Sequence, residues 1–175
     1  MENNHYKLTE ETKTYDGVTL HRIELTKDCK WGKAGDKGGW VEKEDNLQQG
    51  NAWVSGDAWV SGDAMVFGNA EVYGNAEVSG NARVYGNARV SGNARVSGNA
   101  WVSGGQWDMS LLQIQGSRHY FNVCDVGKIK IGCIAKTIEE WEKEFEQVGK
   151  EEGYTEEQIR EYGLYIQLAK QLYGK

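Results

Sequence analysis

The sequence predicts a mainly β protein built on a short parallel β-helix with triangular coils. A hexad of the pattern Gly-Asn/Asp-Ala-x-Val-x repeats nine times without interruption from Gly50 to Ser103. The chain also contains 23 glycines and no proline, whereas glycine-rich disordered chains usually contain proline as well. Because the glycines recur at a fixed interval, they indicate ordered turns.

The six-residue period predicts a strand of about four residues followed by a two-residue turn. It does not match one face of an α-helix, which has about 3.6 residues per turn. Side chains alternate along a strand, so alanine and valine share the inward side, and Gly-Asn or Gly-Asp tolerates the left-handed backbone of a tight turn. Three hexads close one coil, so the nine hexads predict three coils. The inward valines are Val54, Val60, Val66, Val72, Val78, Val84, Val90, Val96 and Val102.

Stacking of the coils sorts the outward side chains onto three faces. Face one carries Trp53, Glu71, Arg89, Ser55, Tyr73 and Ser91. Face two carries Trp59, Glu77, Arg95, Ser61, Ser79 and Ser97. On both faces a glutamate lies beneath an arginine, which predicts a salt-bridge ladder.

Face three has a different composition and is the candidate binding surface. Its candidate site residues are Met65, Phe67, Arg83, Tyr85 and Trp101. An exposed apolar patch around one cation is typical of a contact surface. The sequence leaves open whether another subunit, the chain's own C-terminal tail, or a foreign ligand or partner covers it.

The repeat, at residues 50–105, is flanked by three further segments. Residues 1–49 are predicted to form an N-terminal cap, with a β-hairpin over residues 5–26 that turns at Asp16-Gly17 and closes the bottom of the coil. Residues 106–136 are predicted to form a C-terminal cap of short strands, including 120–123 and 128–131.

Residues 137–175 are predicted to form a hairpin of two helices. Each helix begins with a capping box, at Thr137/Glu140 and at Thr155/Gln158. Each also carries one apolar stripe, consisting of Ile138, Trp141, Phe145 and Val148 in the first helix and of Ile159, Tyr162, Ile166, Ala169 and Tyr173 in the second. These stripes pack against the coil or each other, or else form a docking arm for a subunit or partner.

Charge and composition exclude several classes of partner. The formal net charge is -6, which disfavours nonspecific binding to nucleic acid or to an anionic membrane. We find no apolar leader at the N-terminus and no apolar run long enough to span a bilayer. Three widely spaced cysteines indicate reduced thiols, so we expect a cytoplasmic location.

The hexads resemble the hexapeptide-repeat left-handed β-helix superfamily. Residues 35–42, followed by Asn46-Leu47, also resemble the first segment of uncharacterised hexapeptide-repeat proteins of phages and prophages. The resemblance implies a left-handed coil and two earlier inward positions at Val41 and Leu47, with one extra residue before Val54. It further implies a homo-oligomer, with a trimer favoured and a dimer possible, in the cytoplasm of a bacterial host if the chain is phage-encoded.

The enzymatic side of this resemblance does not extend to the residues of this chain. Acyltransferases and zinc-dependent carbonic anhydrases of the superfamily use histidines presented by the coils or their loops. Here the histidines are His5, His21 and His119, and none lies in a hexad. We therefore predict no catalytic residue, no cofactor and no metal site, although His119, Cys124 and Cys133 form a weak metal candidate. Asp57 and Asp63 are expected to be turn residues.

These observations favour a non-enzymatic interaction protein. Its expected partner is a protein, and the phage-like resemblance implies a host protein that is inhibited, such as an enzyme or a defence factor. The first alternative is a binder of a small nucleotide-like ligand that uses Arg83, Tyr85 and Trp101. The second alternative is a divergent hexapeptide-repeat acyltransferase.

Overall fold

The computed structural model describes residues 5–174 except for the side chain of Gln49. Residues 1–4, at the start of the predicted N-terminal cap, lie outside the described residues. So does residue 175, the last residue of the predicted helical hairpin. In chain order the strands are β1 (Tyr6–Tyr15), β2 (Val18–Leu25), β3 (Lys37–Val41), β4 (Leu47–Gly50), β5 (Trp53–Val54), β6 (Trp59–Val60), β7 (Met65–Gly68), β8 (Glu71–Val72), β9 (Glu77–Val78), β10 (Arg83–Val84), β11 (Arg89–Val90), β12 (Arg95–Val96), β13 (Trp101–Val102), β14 (Gln106–Trp107), β15 (Gln113–Gln115), β16 (Tyr120–Asp125), β17 (Lys128–Ile131) and β18 (Ile134–Thr137). The helices are α1 (Ile138–Glu151) and α2 (Glu156–Tyr173).

The hexads wind into a parallel β-solenoid of about four turns, and the fold is mainly β as predicted. Three ladders of parallel strands form its sides, with the orders β3-β6-β9-β12, β4-β7-β10-β13 and β5-β8-β11-β14. The nine hexads supply β5 to β13, and the flanking strands β3, β4 and β14 complete a fourth turn. The nine hexads thus form three coils as predicted, and the additional turn arises from Val41 and Leu47, which the resemblance implied, together with Trp107, which no hexad contains and which pairs with Val90 at an inward position.

The interior of the solenoid contains the alanines and valines of the hexads. All nine predicted inward valines are fully buried, and so is each alanine two residues before them. Val41 and Leu47 occupy the two earlier inward positions that the resemblance implied, because they pair with Val60 and Val66. The register shifts between Leu47 and Gly50, where the extra residue was expected.

The corners are held by stacked backbone and by stacked asparagines. Gly80 has a φ of 67°, and a Cβ at this position would lie 3.0 Å from the backbone nitrogen of Gly98 in the next turn. Only glycine meets both conditions without strain. Beside the glycines, the amide of Asn81 donates to that of Asn99 over 3.1 Å, and Asn51 donates to Asn69 in the same way. These bonds fix the register of one turn on the next.

The N-terminal hairpin closes the bottom of the solenoid, as predicted. Strands β1 and β2 meet at Asp16-Gly17, and β2 pairs antiparallel with β3, so that the hairpin extends the first ladder to six strands. Ile23 and Leu25 are buried in the same core as Val54. The hairpin therefore covers apolar side chains that the first turn would otherwise expose.

The C-terminal segment closes the top by accepting the hydrogen bonds that a fifth turn would accept. In each parallel ladder, backbone N–H groups donate upward to carbonyl groups of the next turn. In the last turn these N–H groups donate instead to the C-terminal segment. The N–H of Arg95 donates to Ser110 Oγ over 3.0 Å, and that of Ser97 donates to Gln113 Oε1 over 2.8 Å. The N–H of Trp101 donates to Asn122 Oδ1 over 3.3 Å, and that of Ser103 donates to the Cys124 carbonyl over 2.8 Å. Asn122 Nδ2 also donates to the Trp101 carbonyl over 2.8 Å. A side-chain amide thus substitutes for a strand at this edge.

Strands β15 to β18 form an antiparallel sheet, hereafter the C-terminal sheet, and the two helices pack on it. Both predicted capping boxes are present, and the two predicted apolar stripes face each other and the sheet. Trp141 Nε1 donates to the Ile129 carbonyl over 3.0 Å, and Tyr162 Oη donates to the His119 carbonyl over 2.7 Å. Within residues 5–174, neither helix is long and apolar enough to cross a membrane.

Replacing Val84 by alanine should destabilise the solenoid measurably. Val84 is fully buried in the third turn, and the loss of two methyl groups with little collapse costs about 2 kcal/mol. For a chain of this size we expect the melting temperature to fall by about 4–8 °C. The matched control is Val126→Ala, since Val126 is 66% exposed in a turn. Equal melting temperatures for the two variants would contradict an inward Val84.

Replacing Asn122 by leucine should destabilise the protein without creating a cavity. Asn122 is 1% exposed, and a leucine of similar size leaves the N–H and carbonyl of Trp101 without partners, at a cost of about 1–3 kcal/mol. Urea denaturation measures this loss. Gln106→Leu is the control, because Gln106 is exposed in β14. If the two variants have the same urea midpoint of unfolding, the hydrogen-bonding role of Asn122 is wrong.

Candidate docking surface

Two of the three outer faces carry the charge ladders that the sequence predicted. On face one, Arg89 pairs with Glu71 in the ladder and lies 3.2 Å from its carboxylate. On face two, Arg95 does the same with Glu77 at 3.0 Å. Because both arginines are exposed, each pair contributes at most about 1 kcal/mol. The pairs neutralise these faces and favour the observed register.

The structure brings the five candidate residues of face three together. Ladder pairing of β7, β10 and β13 places Met65, Arg83 and Trp101 in one column. In the adjacent column Phe67 stacks on Tyr85, with ring centroids 5.1 Å apart and an interplanar angle of 6°. Tyr85 meets Trp101 edge to face at 6.4 Å. All five side chains are partly exposed, so face three is a flat aromatic surface on a rigid scaffold.

Trp101 is also contacted by two cations. The Arg83 guanidinium lies 4.5 Å from the ring centroid, and the Lys130 ammonium lies 4.2 Å from it. Such cation–π contacts are stronger when they are withdrawn from water. Lys130 is 7% exposed, and burial is the main cause that lowers its pKa, with the nearby charge of Arg83 adding to the effect.

Sequence reasoning missed Lys130 as a neighbour of face three. The strand that contains Lys130 was predicted, but nothing in the sequence indicated where the C-terminal sheet would dock. In the structure Lys130 pairs with Asn122, which is bonded to Trp101. The C-terminal sheet therefore reaches the upper end of face three at Trp101, and the other four residues stay partly exposed. This arrangement covers less of the face than the expected alternative in which the chain's own tail buries it.

A shallow groove lies at the lower end of face three. It has a volume of about 560 Å³ and is lined by Lys43, Asp45, Gln48, Asp63, Ala64, Met65, Asn81 and Arg83. Lys43 Nζ lies 2.7 Å from Asp63 Oδ1, and this hydrogen bond lowers the pKa of Asp63. Asp63 is thus paired within the chain.

A second exposed apolar surface lies on α2 and was not anticipated from the sequence. Leu164, Leu168 and Leu172, hereafter the leucine stripe, are 60%, 38% and 60% exposed. They lie four residues apart, so they project from neighbouring positions of one helix face. The spacing is visible in the sequence, but the stronger stripe around Tyr162 and Ile166 was taken as the sole apolar side of the helix.

The C-terminal segment also contains a small apolar cavity beside the weak metal candidate. The cavity, between the C-terminal sheet and the helices, has a volume of about 30 Å³ and is lined by His119 and Cys133 among others. This space holds about one water molecule. Cys124 is buried, and burial raises the pKa of its thiol to about 11. Within residues 5–174, no three His, Cys, Asp or Glu side chains converge to hold a metal ion.

The three histidines occupy separate places outside the hexads. His5 is buried at the bottom of the solenoid with Nε2 3.1 Å from the Ala52 carbonyl, and burial lowers its pKa. His21 lies on β2, and His119 contacts Tyr154 beside the helices.

Comparison with known proteins supports the repeat assignment. Residues 76–92, 82–95 and 88–104 each match the family model described as YdcK Beta solenoid repeat. A search of the curated proteins finds no match. The chain therefore contains β-solenoid repeats similar to those of the YdcK type.

Proposed function

We propose that the protein is a non-enzymatic interaction protein that binds a protein partner through face three. The observation that carries this proposal is the continuous contact from Phe67 through Tyr85 to Trp101 on a partly exposed sheet. Exposed aromatic residues next to an arginine are the side chains that most often dominate binding energy at protein interfaces. A face held by ladder hydrogen bonds also loses little conformational entropy when it binds.

The biological context of this proposal comes from the resemblance to phage and prophage proteins. In that context the partner is a protein of the bacterial host, and binding inhibits an enzyme or a defence factor in the host cytoplasm. The flatness of the aromatic surface and the shallowness of the adjoining groove support a macromolecular partner over a nucleotide-like ligand, because small-ligand sites are normally concave and enclose most of the ligand. The positions of the histidines weigh against a divergent acyltransferase.

We also propose that the chain forms a homo-oligomer, a trimer by the resemblance and a dimer in the alternative. The leucine stripe supports self-association, because its three side chains lie on the outer side of α2 while the opposite side packs on the C-terminal sheet. Assembly through α2 leaves face three free for another protein.

Replacing Arg83 and Trp101 together by alanine should abolish partner binding. The change removes a guanidinium and an indole from face three, and hot-spot truncations of this kind cost about 2–4 kcal/mol each. The measurement is affinity capture from a bacterial lysate with the intact protein as bait, followed by mass spectrometry. Tyr73→Ala/Arg89→Ala, which removes an exposed aromatic ring and an exposed guanidinium from face one, should retain every captured protein. Retention by the Arg83/Trp101 variant as well would exclude face three as the docking surface.

Replacing Leu164 and Leu172 by glutamate should dissociate the oligomer while the monomer stays folded. Both leucines are 60% exposed in one chain, so glutamate costs little in the monomer but places like charges in the proposed contact. Light scattering coupled to size exclusion gives the mass of each species, relative to 19.6 kDa for one chain. The control variant Met109→Glu/Val126→Glu alters exposed apolar residues elsewhere. A wild-type protein of one-chain mass, or an unchanged oligomer in the Leu variant, contradicts the proposal.

A further inference from the structure

Face three carries positive charge that the other faces do not. On faces one and two each arginine lies above a glutamate, whereas the residue below Arg83 in the ladder is Met65. Within residues 5–174, neither Arg83 nor Lys130 lies within 4.0 Å of a carboxylate oxygen in an ion pair. The acidic residues that line the adjoining groove are Asp45 and Asp63, and Asp63 forms a salt bridge with Lys43.

The two cations are held close to one indole against their mutual repulsion. Both lie within about 4.5 Å of the Trp101 ring centroid, and Lys130 is nine-tenths buried. A buried ammonium without a counter-ion is costly, because the charged form loses hydration that a single indole ring replaces only in part. An anionic group supplied from outside would offset both the repulsion and the lost hydration.

The charge of the whole chain limits which anion can bind. At a net charge of -6, the protein repels a nucleic acid, whose phosphates extend well beyond a patch of two cations. A short acidic stretch of a protein chain places only one or two carboxylates at the patch. Neighbouring apolar side chains of that stretch would meet Phe67 and Tyr85.

We propose that face three recognises an acidic segment of a partner protein. Carboxylates of the segment are bound by Arg83 and Lys130 beside Trp101, and an adjacent apolar or aromatic side chain packs on the stacked rings of Phe67 and Tyr85. This inference rests on the proposed function and specifies the chemistry of the partner. It also predicts binding that weakens with salt, since Arg83 is partly exposed to solvent and its attraction for a carboxylate is screened by ions.

The test is an unbiased selection of displayed random peptides on the immobilised full-length protein. The wild type should enrich peptides in which Asp or Glu stands beside an aromatic or aliphatic residue. The variant Arg83→Gln/Lys130→Gln should lose this enrichment, and the best peptide should bind it about ten- to a hundred-fold more weakly by fluorescence polarisation. The control Arg89→Gln/Arg95→Gln removes the same charge from faces one and two and should behave as the wild type.

Two further variants keep the result interpretable. Arg83→Gln alone tests the patch if the loss of the buried Lys130 impairs folding, which circular dichroism would reveal. Tyr85→Ala tests the aromatic surface without changing charge.

Selected peptides that are neutral or basic, or that bind Arg83→Gln as tightly as wild type, overturn the acidic specificity. If those peptides nevertheless bind Tyr85→Ala more weakly than the wild type, face three is still the docking surface. If they bind Tyr85→Ala as tightly as the wild type, the proposed function is contradicted as well. No enrichment over the Arg83→Gln/Lys130→Gln variant also overturns the inference.

Discussion

Every part of this structure depends on how a stack of parallel turns satisfies its main-chain hydrogen bonds. Each turn accepts bonds from the one below and donates to the one above, so the first and last turns would by themselves have unpaired edges that promote aggregation. The N-terminal hairpin occupies the lower end. At the upper end, amides of Gln113 and Asn122 take the place of a further strand. The repeat therefore forms a finite column because two non-repeating segments end it.

The sequence predicted those features that the six-residue period repeats. Valine and alanine at fixed positions led to the core, the ladders and the identity of all five residues of face three. The two helices followed from their capping boxes. The left hand of the coil stays a prediction from resemblance.

Features that depend on contacts across non-repeating segments were not predictable in the same way. Lys130 and Asn122 lie more than twenty residues from Trp101 in the chain, and no period relates them to it. Strand β14 was missed because its inward residue, Trp107, follows a Gly104-Gly105 pair that indicated the end of the repeat. The leucine stripe was missed because a helix with one apolar side against a sheet was expected to be polar on the other.

The near-identity of the hexads has a consequence for how this molecule can change its length. A duplication or loss of three hexads adds or removes one complete turn of the solenoid and leaves the rotation of the two terminal segments about its axis unchanged. A change of one hexad instead turns the C-terminal sheet and helices by a third of a revolution relative to the N-terminal hairpin. A partner that binds both the solenoid and α2 would detect that rotation. The distance between the N-terminal hairpin and the C-terminal sheet therefore grows with every added hexad, whereas the angle between them takes only three values.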